Sequence, residues 1–111
     1  MNLKLRHVGQ VTAIDIEGKL DTNTSTLALE QLLAHLADSP PQVVISLAAL
    51  EFASSAGLRV LLRVAKHVRG YSGGLKVAGA TGMVKEVLEI SGFDTLLNMY
   101  DSEEQALAAF G

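Results

Sequence analysis

An α/β domain built around one mixed β-sheet is the fold this sequence predicts. Three observations carry that expectation. Strand-length apolar segments alternate with stretches of helical periodicity, the order that lays down parallel strands through crossover helices. The first two strand-like segments follow one another with only Gly9-Gln10 between them, which makes that pair an antiparallel hairpin. The run QVVISL, residues 42–47, is a short apolar segment suited to a central strand covered on both faces. The expectation is a single domain over residues 1–111, with a sheet of about four to five strands and about four helices.

Taken in order, Leu3 and Leu5 alternate with Lys4 and Arg6, and Ile14 and Ile16 alternate with Asp15 and Glu17, as in half-buried strands. Gly18-Lys-Leu-Asp-Thr-Asn-Thr24 then breaks the strand and offers several N-caps. Leu29, Leu32, Leu33 and Leu36 recur at helical spacing between Thr24 and Asp38, and Ser39-Pro40-Pro41 stops that helix. After strand 42–47, a second helix begins near Gly57 and keeps Leu58, Leu61, Leu62, Ala65 and Val68 on one face. A glycine-rich turn over 70–74 leads into a strand at Leu75–Ala80. Val84, Val87 and Leu88 mark a third helix ended by Gly92. Phe93–Tyr100 holds a short edge strand, and Ser102-Glu-Glu-Gln105 is a capping box that opens the last helix.

Composition narrows the function. There are no cysteines, which excludes disulfides and thiolate metal sites and suits a reducing cytoplasm. His7, His35 and His67 lack ligand-like spacing. A formal charge of −3 and the absence of tryptophan argue against a nucleic-acid surface. No apolar run approaches the roughly 18 residues that cross a bilayer, and the first residues, MNLKLRH, lack the apolar core of a secretory signal.

The stretch EFASSAGLRVLL, residues 51–62, raises the functional question, because Ser54 and Ser55 sit between an apolar run and a helix start. They could cap the helix, act as a nucleophile, or accept a phosphate. The position favours an anion, since helix N-termini present free N–H groups at the carboxyl ends of strands. Position alone leaves cap and phosphosite both open. The nucleophile fails on geometry: Ala53-Ser-Ser55-Ala-Gly57 mimics a hydrolase elbow, but His67 follows on the same helix, roughly 18 Å along it. A nucleotide loop fails as well, because Lys76 in Gly70-Tyr-Ser-Gly-Gly-Leu-Lys76 is preceded by Leu75 and followed by no hydroxyl residue. The expectation is a protein that is not an enzyme and needs no cofactor.

VVISLAALEFASSAGLRVLL resembles the signature of the STAS domain as found in bacterial anti-sigma factor antagonists (anti-anti-sigma factors). There an apolar strand and a short loop lead to Asp/Ser-Ser-Ser/Thr/Ala-Gly-Leu at a helix start. Gly18-Lys-Leu-Asp21, Leu75-Lys-Val-Ala-Gly79 and Val87-Leu-Glu-Ile-Ser-Gly-Phe93 also fit the family pattern. The resemblance spans essentially the whole chain and implies a STAS fold.

It further implies a partner-switching regulator of transcription in the cytoplasm. An anti-sigma factor that is also a serine kinase of the GHKL type is bound by the unphosphorylated protein and released once a serine is phosphorylated. A PP2C-type phosphatase restores the starting state. Alignment on Gly57-Leu58 places the phosphorylated serine at Ser55, with Asp21, Ser54, Ala56, Gly57, Leu58, Arg59 and Arg63 as the partner-binding surface. Two positions depart from the family pattern: Ser54 and Ser46 stand where aspartate is common. Outside the motif, Arg59, Arg63 and Lys66 form a basic stripe at i, i+4 and i+7, either a solvated face or a lure for an acidic partner. The resemblance leaves room for a second role, a STAS subunit of a phospholipid ABC transporter.

Overall fold

The computed structural model describes residues 1–36, 42–69 and 74–110. Strand β1 (Asn2–Val8) and strand β2 (Val11–Leu20) form the expected antiparallel hairpin, with Val8 opposite Val11. Gly9 turns the corner at φ +61°, in the left-handed region that a two-residue hairpin demands. Helix α1 (Ser25–Leu36) follows, then β3 (Gln42–Ser46), β4 (Leu50–Ala53) and helix α2 (Ser55–Arg69). Strand β5 (Gly74–Ala78), helix α3 (Gly82–Ile90), a 3-10 turn (Phe93–Thr95), β6 (Asn98–Tyr100) and helix α4 (Glu103–Ala109) complete the order. The proline stop at 39–41 and most of the glycine-rich turn lie outside the described residues.

The main sheet runs β1-β2-β3-β5-β6, and every pairing after the hairpin is parallel. Its architecture is the mixed α/β layer that the sequence predicts, with two differences. Strand β2 does not break at Gly18; it continues to Leu20, shifting register between Gly18 and Lys19 and pairing there with β4. Gly18 adopts φ +89°, which lets the strand bend without ending. Strand β4 itself is a sixth strand that the sequence hides. Leu50 and Ala53 point inward while Glu51 and Phe52 are exposed, so the segment lacks the two-residue alternation by which strands are recognised.

Side chains alternate across the sheet and divide the core into two layers. Ile14, Ile16, Val43, Ile45, Leu75 and Val77 face α1, α2 and α3, where Leu32, Leu58, Leu61, Val64 and Leu88 close over them. Val11, Val44 and Ala78 face the other way and pack against Ala106 of α4, with Tyr100, Leu107 and Phe110 around them. Both faces of β3 are thus covered, as its apolar run requires.

Helix α4 is short, and polar contacts add to its apolar hold. Arg6 donates to both carboxylate oxygens of Asp15 on the neighbouring strand, at 2.9 and 2.7 Å, and also to both oxygens of Glu103 in the first turn of α4. The bonds to Glu103 and then to Asp15 push the Arg6 guanidinium above its already high ordinary value. On the other side of the helix, the Lys76 ammonium lies 4.6 Å from the centre of the Phe110 ring and 5.5 Å from that of Tyr100. Ser102 caps α4 by accepting from the Gln105 amide at 3.2 Å, while Gln105 Oε1 accepts from the Asp101 amide. The reciprocal pair of bonds is the predicted capping box, displaced by one residue on its return arm.

Candidate functional site

The two serines lie between the end of β4 and the first turn of α2, and the backbone gives them different jobs. The Ser54 amide donates to Leu20 O at 3.1 Å, which joins the end of β2 to the start of the helix. Ser54 Oγ accepts from the Gly57 amide at 3.1 Å, and Ser54 O accepts from the Leu58 amide at 2.9 Å. Ser54 is therefore the N-cap, and α2 begins at Ser55, two residues before the start expected from its apolar pattern. Ser55 occupies the first helical position, is exposed, and lies 2.8 Å from Ser91 Oγ through its own hydroxyl.

Ser91 follows the last residue of α3 and was not singled out by the sequence. It lies 36 residues from Ser55, and no local periodicity or motif connects the two. Contact between α3 and β4, and between α3 and α2, brings the end of one helix to the start of the other.

The helix start is pressed against the corner that follows β2. A Cβ placed on Gly57 would lie 2.1 Å from Leu20 O and 2.9 Å from the Asp21 amide nitrogen, closer than any carbon can approach. Only a residue without a side chain lets α2 rest there. Asp21 is thereby a neighbour of the serine corner, as the family pattern implies, but its carboxylate is engaged locally. Oδ1 accepts from the amides of Asn23 at 2.9 Å and Thr24 at 3.1 Å, and Thr24 Oγ1 accepts from the Asp21 amide at 2.9 Å. This reciprocal set shapes the turn into α1.

The remaining candidates separate by exposure. Gly57 and Leu58 are buried and support the corner from beneath, whereas Ala56, Arg59, Arg63 and Lys66 are exposed. Arg59 and Arg63 border a shallow cleft between α1 and α2 with Ser25, Thr26, Leu29, Ala56 and Val60. Its volume of about 150 Å³ is below the range of about 300–1,000 Å³ typical of small-molecule sites. Ser46 is nearly buried at the end of β3, and its Oγ accepts weakly from the Ala48 amide at 3.4 Å. His67 is on α2, the same helix as Ser55, so the separation that removes a Ser–His pair holds in the fold. Among the described residues, no three histidine, aspartate or glutamate side chains gather as metal ligands. No described helix is long and apolar enough to cross a membrane.

Because Ser54 caps α2 through its hydroxyl, Ser54→Ala is expected to destabilise the protein by about 1 kcal/mol. Ser55→Ala, which removes a hydroxyl with no capping bond, should cost less. Urea denaturation of the two variants compares them, and an equal loss in both would contradict the capping assignment.

Comparison with known proteins gives one consistent picture. The STAS domain family model matches residues 2–106. A Bordetella bronchiseptica protein, BtrV, provisionally named an anti-sigma factor antagonist, is 34% identical over 110 residues, covering 99% of this chain and 95% of that protein. The crystal structure of an anti-sigma factor antagonist from Mycobacterium paratuberculosis superposes with a TM-score of 0.88 at 27% identity, covering 97% of this chain and 92% of the other. Bacillus SpoIIAA in its phosphorylated form shares the fold, with a TM-score of 0.70 at 16% identity over 99% of this chain and 100% of that one. A family model over residues 2–106, a relative 34% identical along nearly its whole length and a solved structure that superposes over nearly the full chain have one explanation: this chain belongs to the STAS domain family.

Proposed function

We propose that the protein is an anti-sigma factor antagonist whose binding to its partner is controlled by a phosphate on Ser55. In this reading the unphosphorylated chain binds an anti-sigma factor that is also a GHKL-type serine kinase. Phosphorylation of Ser55 releases that partner, and a PP2C-type phosphatase restores the binding form. The relatives carrying the antagonist name, matched along almost their whole length, support the general role.

The observation that carries the finer reading is the unequal use of the two serine hydroxyls. Ser54 Oγ accepts from the Gly57 amide, while Ser55 is exposed and its hydroxyl, among the described residues, is bonded only to that of Ser91. A kinase can reach the second without uncapping the helix. Phosphate at the first helical position also meets the positive end of the helix dipole, which favours added negative charge. In this reading Asp21 and Ala56 at the corner, with Arg59 and Arg63 one and two turns along α2, supply the partner-facing surface, and Ser54, Gly57 and Leu58 hold its shape.

Incubation with the anti-sigma kinase and Mg-ATP should add one phosphate, and peptide mass spectrometry should find it on Ser55. Phosphate mainly on Ser54, or none while the kinase modifies another substrate, would reject the assignment.

A further inference from the structure

We infer that Ser91 is a positioning residue for the phosphate on Ser55: its hydroxyl donates to the phosphate and holds it against the end of α3. The inference rests on the phosphorylation reading above and adds a residue from another helix to that site. In the unmodified protein the two hydroxyl oxygens lie 2.8 Å apart, and either can donate. Transfer of the γ-phosphoryl group from ATP forms the bond from Ser55 Oγ to phosphorus, breaks the bond to the leaving ADP, and releases the hydroxyl proton to a base of the kinase. Ser55 Oγ then carries no hydrogen. The direction of the bond is no longer free, because only Ser91 still has a proton to give.

A bridging ester oxygen is a weak acceptor, whereas the non-bridging oxygens beside it carry the charge. Ser91 Oγ sits close enough to the attachment atom for a small side-chain rotation to bring it to one of them. A hydroxyl donating to an ionised oxygen makes a shorter and stronger bond than it makes to another hydroxyl. Ser91 has no competing assignment. At the end of α3 its backbone amide donates to Val87 O, at 3.0 Å, and among the described residues its hydroxyl is bonded to that of Ser55 alone. Its backbone, at φ −77° and ψ −10°, is open to alanine or threonine without strain. The pair therefore ties the start of α2 to the end of α3 in both forms, with the bond strengthening on phosphorylation.

A donor that prefers the more highly charged phosphate lowers its second ionisation, which otherwise lies near pH 6. The test uses the full chain with phosphoserine encoded at position 55, titrated by phosphorus NMR. Ser91→Ala should raise the second pKa of the phosphate by about half a pH unit, and Ser91→Thr, which keeps the hydroxyl, should return it to the wild-type value. Circular dichroism confirms that each variant is folded. An unchanged titration in folded Ser91→Ala, or a rise in Ser91→Thr as large as in alanine, overturns the inference and leaves the phosphorylation reading standing. Failure of the kinase to modify Ser55 is scored separately by mass spectrometry and would remove that reading, and with it the role assigned to Ser91.

Discussion

Phosphorylated Ser55 is expected to weaken binding to the anti-sigma kinase at least a hundred-fold while leaving the fold intact. The two halves of that expectation have different physical origins. Within the isolated protein, Ser55 is exposed at the first position of α2, so the new charge remains hydrated and interacts favourably with the helix dipole. That interaction is worth roughly 0.3–1 kcal/mol, too little to change the melting temperature by much. Inside an interface, the same charge of about −1.5 to −2 would be stripped of water by the partner surface. Unpaired or like-charge burial can cost several kcal/mol, and about 2.8 kcal/mol is already a hundred-fold loss. Ser55→Ala should then bind the kinase constitutively, and Ser55→Asp should bind poorly with a near-wild-type melting temperature. Aspartate carries one charge and fewer acceptor oxygens, so its effect should be smaller than that of phosphate. Calorimetric titration beside thermal melts tests both halves. If phosphorylated protein and Ser55→Asp bind as tightly as wild type, this corner is not the switch, and a structural-subunit role becomes the better reading.

Gly57→Ala should produce the largest loss of stability of any single methyl addition near the site, about 3 kcal/mol or more. The added carbon would sit 2.1 Å from Leu20 O and 2.5 Å from Leu20 C, both backbone atoms of a central strand. Neither can rotate away, so the start of α2 would have to lift from β2. Lifting it stretches the bond from the Ser54 amide to Leu20 O and disturbs the packing of buried Leu58 and Leu61. The intrinsic helix preference of alanine over glycine, about 1 kcal/mol, works in the opposite direction and is outweighed. For a chain of this size the melting temperature should fall by roughly 10–20 °C. A loss below about 1 kcal/mol in thermal and urea unfolding would mean that the helix start tolerates displacement. Kinase binding by whatever folded Gly57→Ala remains should also weaken, since the serine corner moves with the helix.

By itself, the sequence determined the elements whose signals are local. The Gly9-Gln10 hairpin, the apolar central strand, the glycine that ends α3 at φ +75° and the Ser102 cap all depend on neighbours a few residues away. The serine corner was legible as a helix start with a capping hydroxyl, and the spacing of Ser54, Ser55, Gly57 and Leu58 carried its likeness to the STAS signature. The division of labour between the serines came from the family alignment, which assigns the phosphate to Ser55 and leaves Ser54 as the cap or a loop hydrogen-bonder; no local pattern separates the two. That Ser54 caps while Ser55 faces out depends on where α2 begins, and the helix start is set by the bond from Ser54 to Leu20 O on a distant strand.

Tertiary structure alone decided three further points. It made 50–53 a strand, because the bent end of β2 offers that segment a partner that its own burial pattern does not advertise. It explained Gly57 through the backbone of Leu20 rather than through conformational freedom, since this glycine lies within a regular helix. And it set Ser91 beside Ser55. Sequence encodes periodicity and capping through interactions within one or two turns, whereas that pair exists only because α2 and α3 pack side by side on the same face of the sheet. Their meeting point is fixed by the sum of the core contacts, which no short stretch of the chain contains.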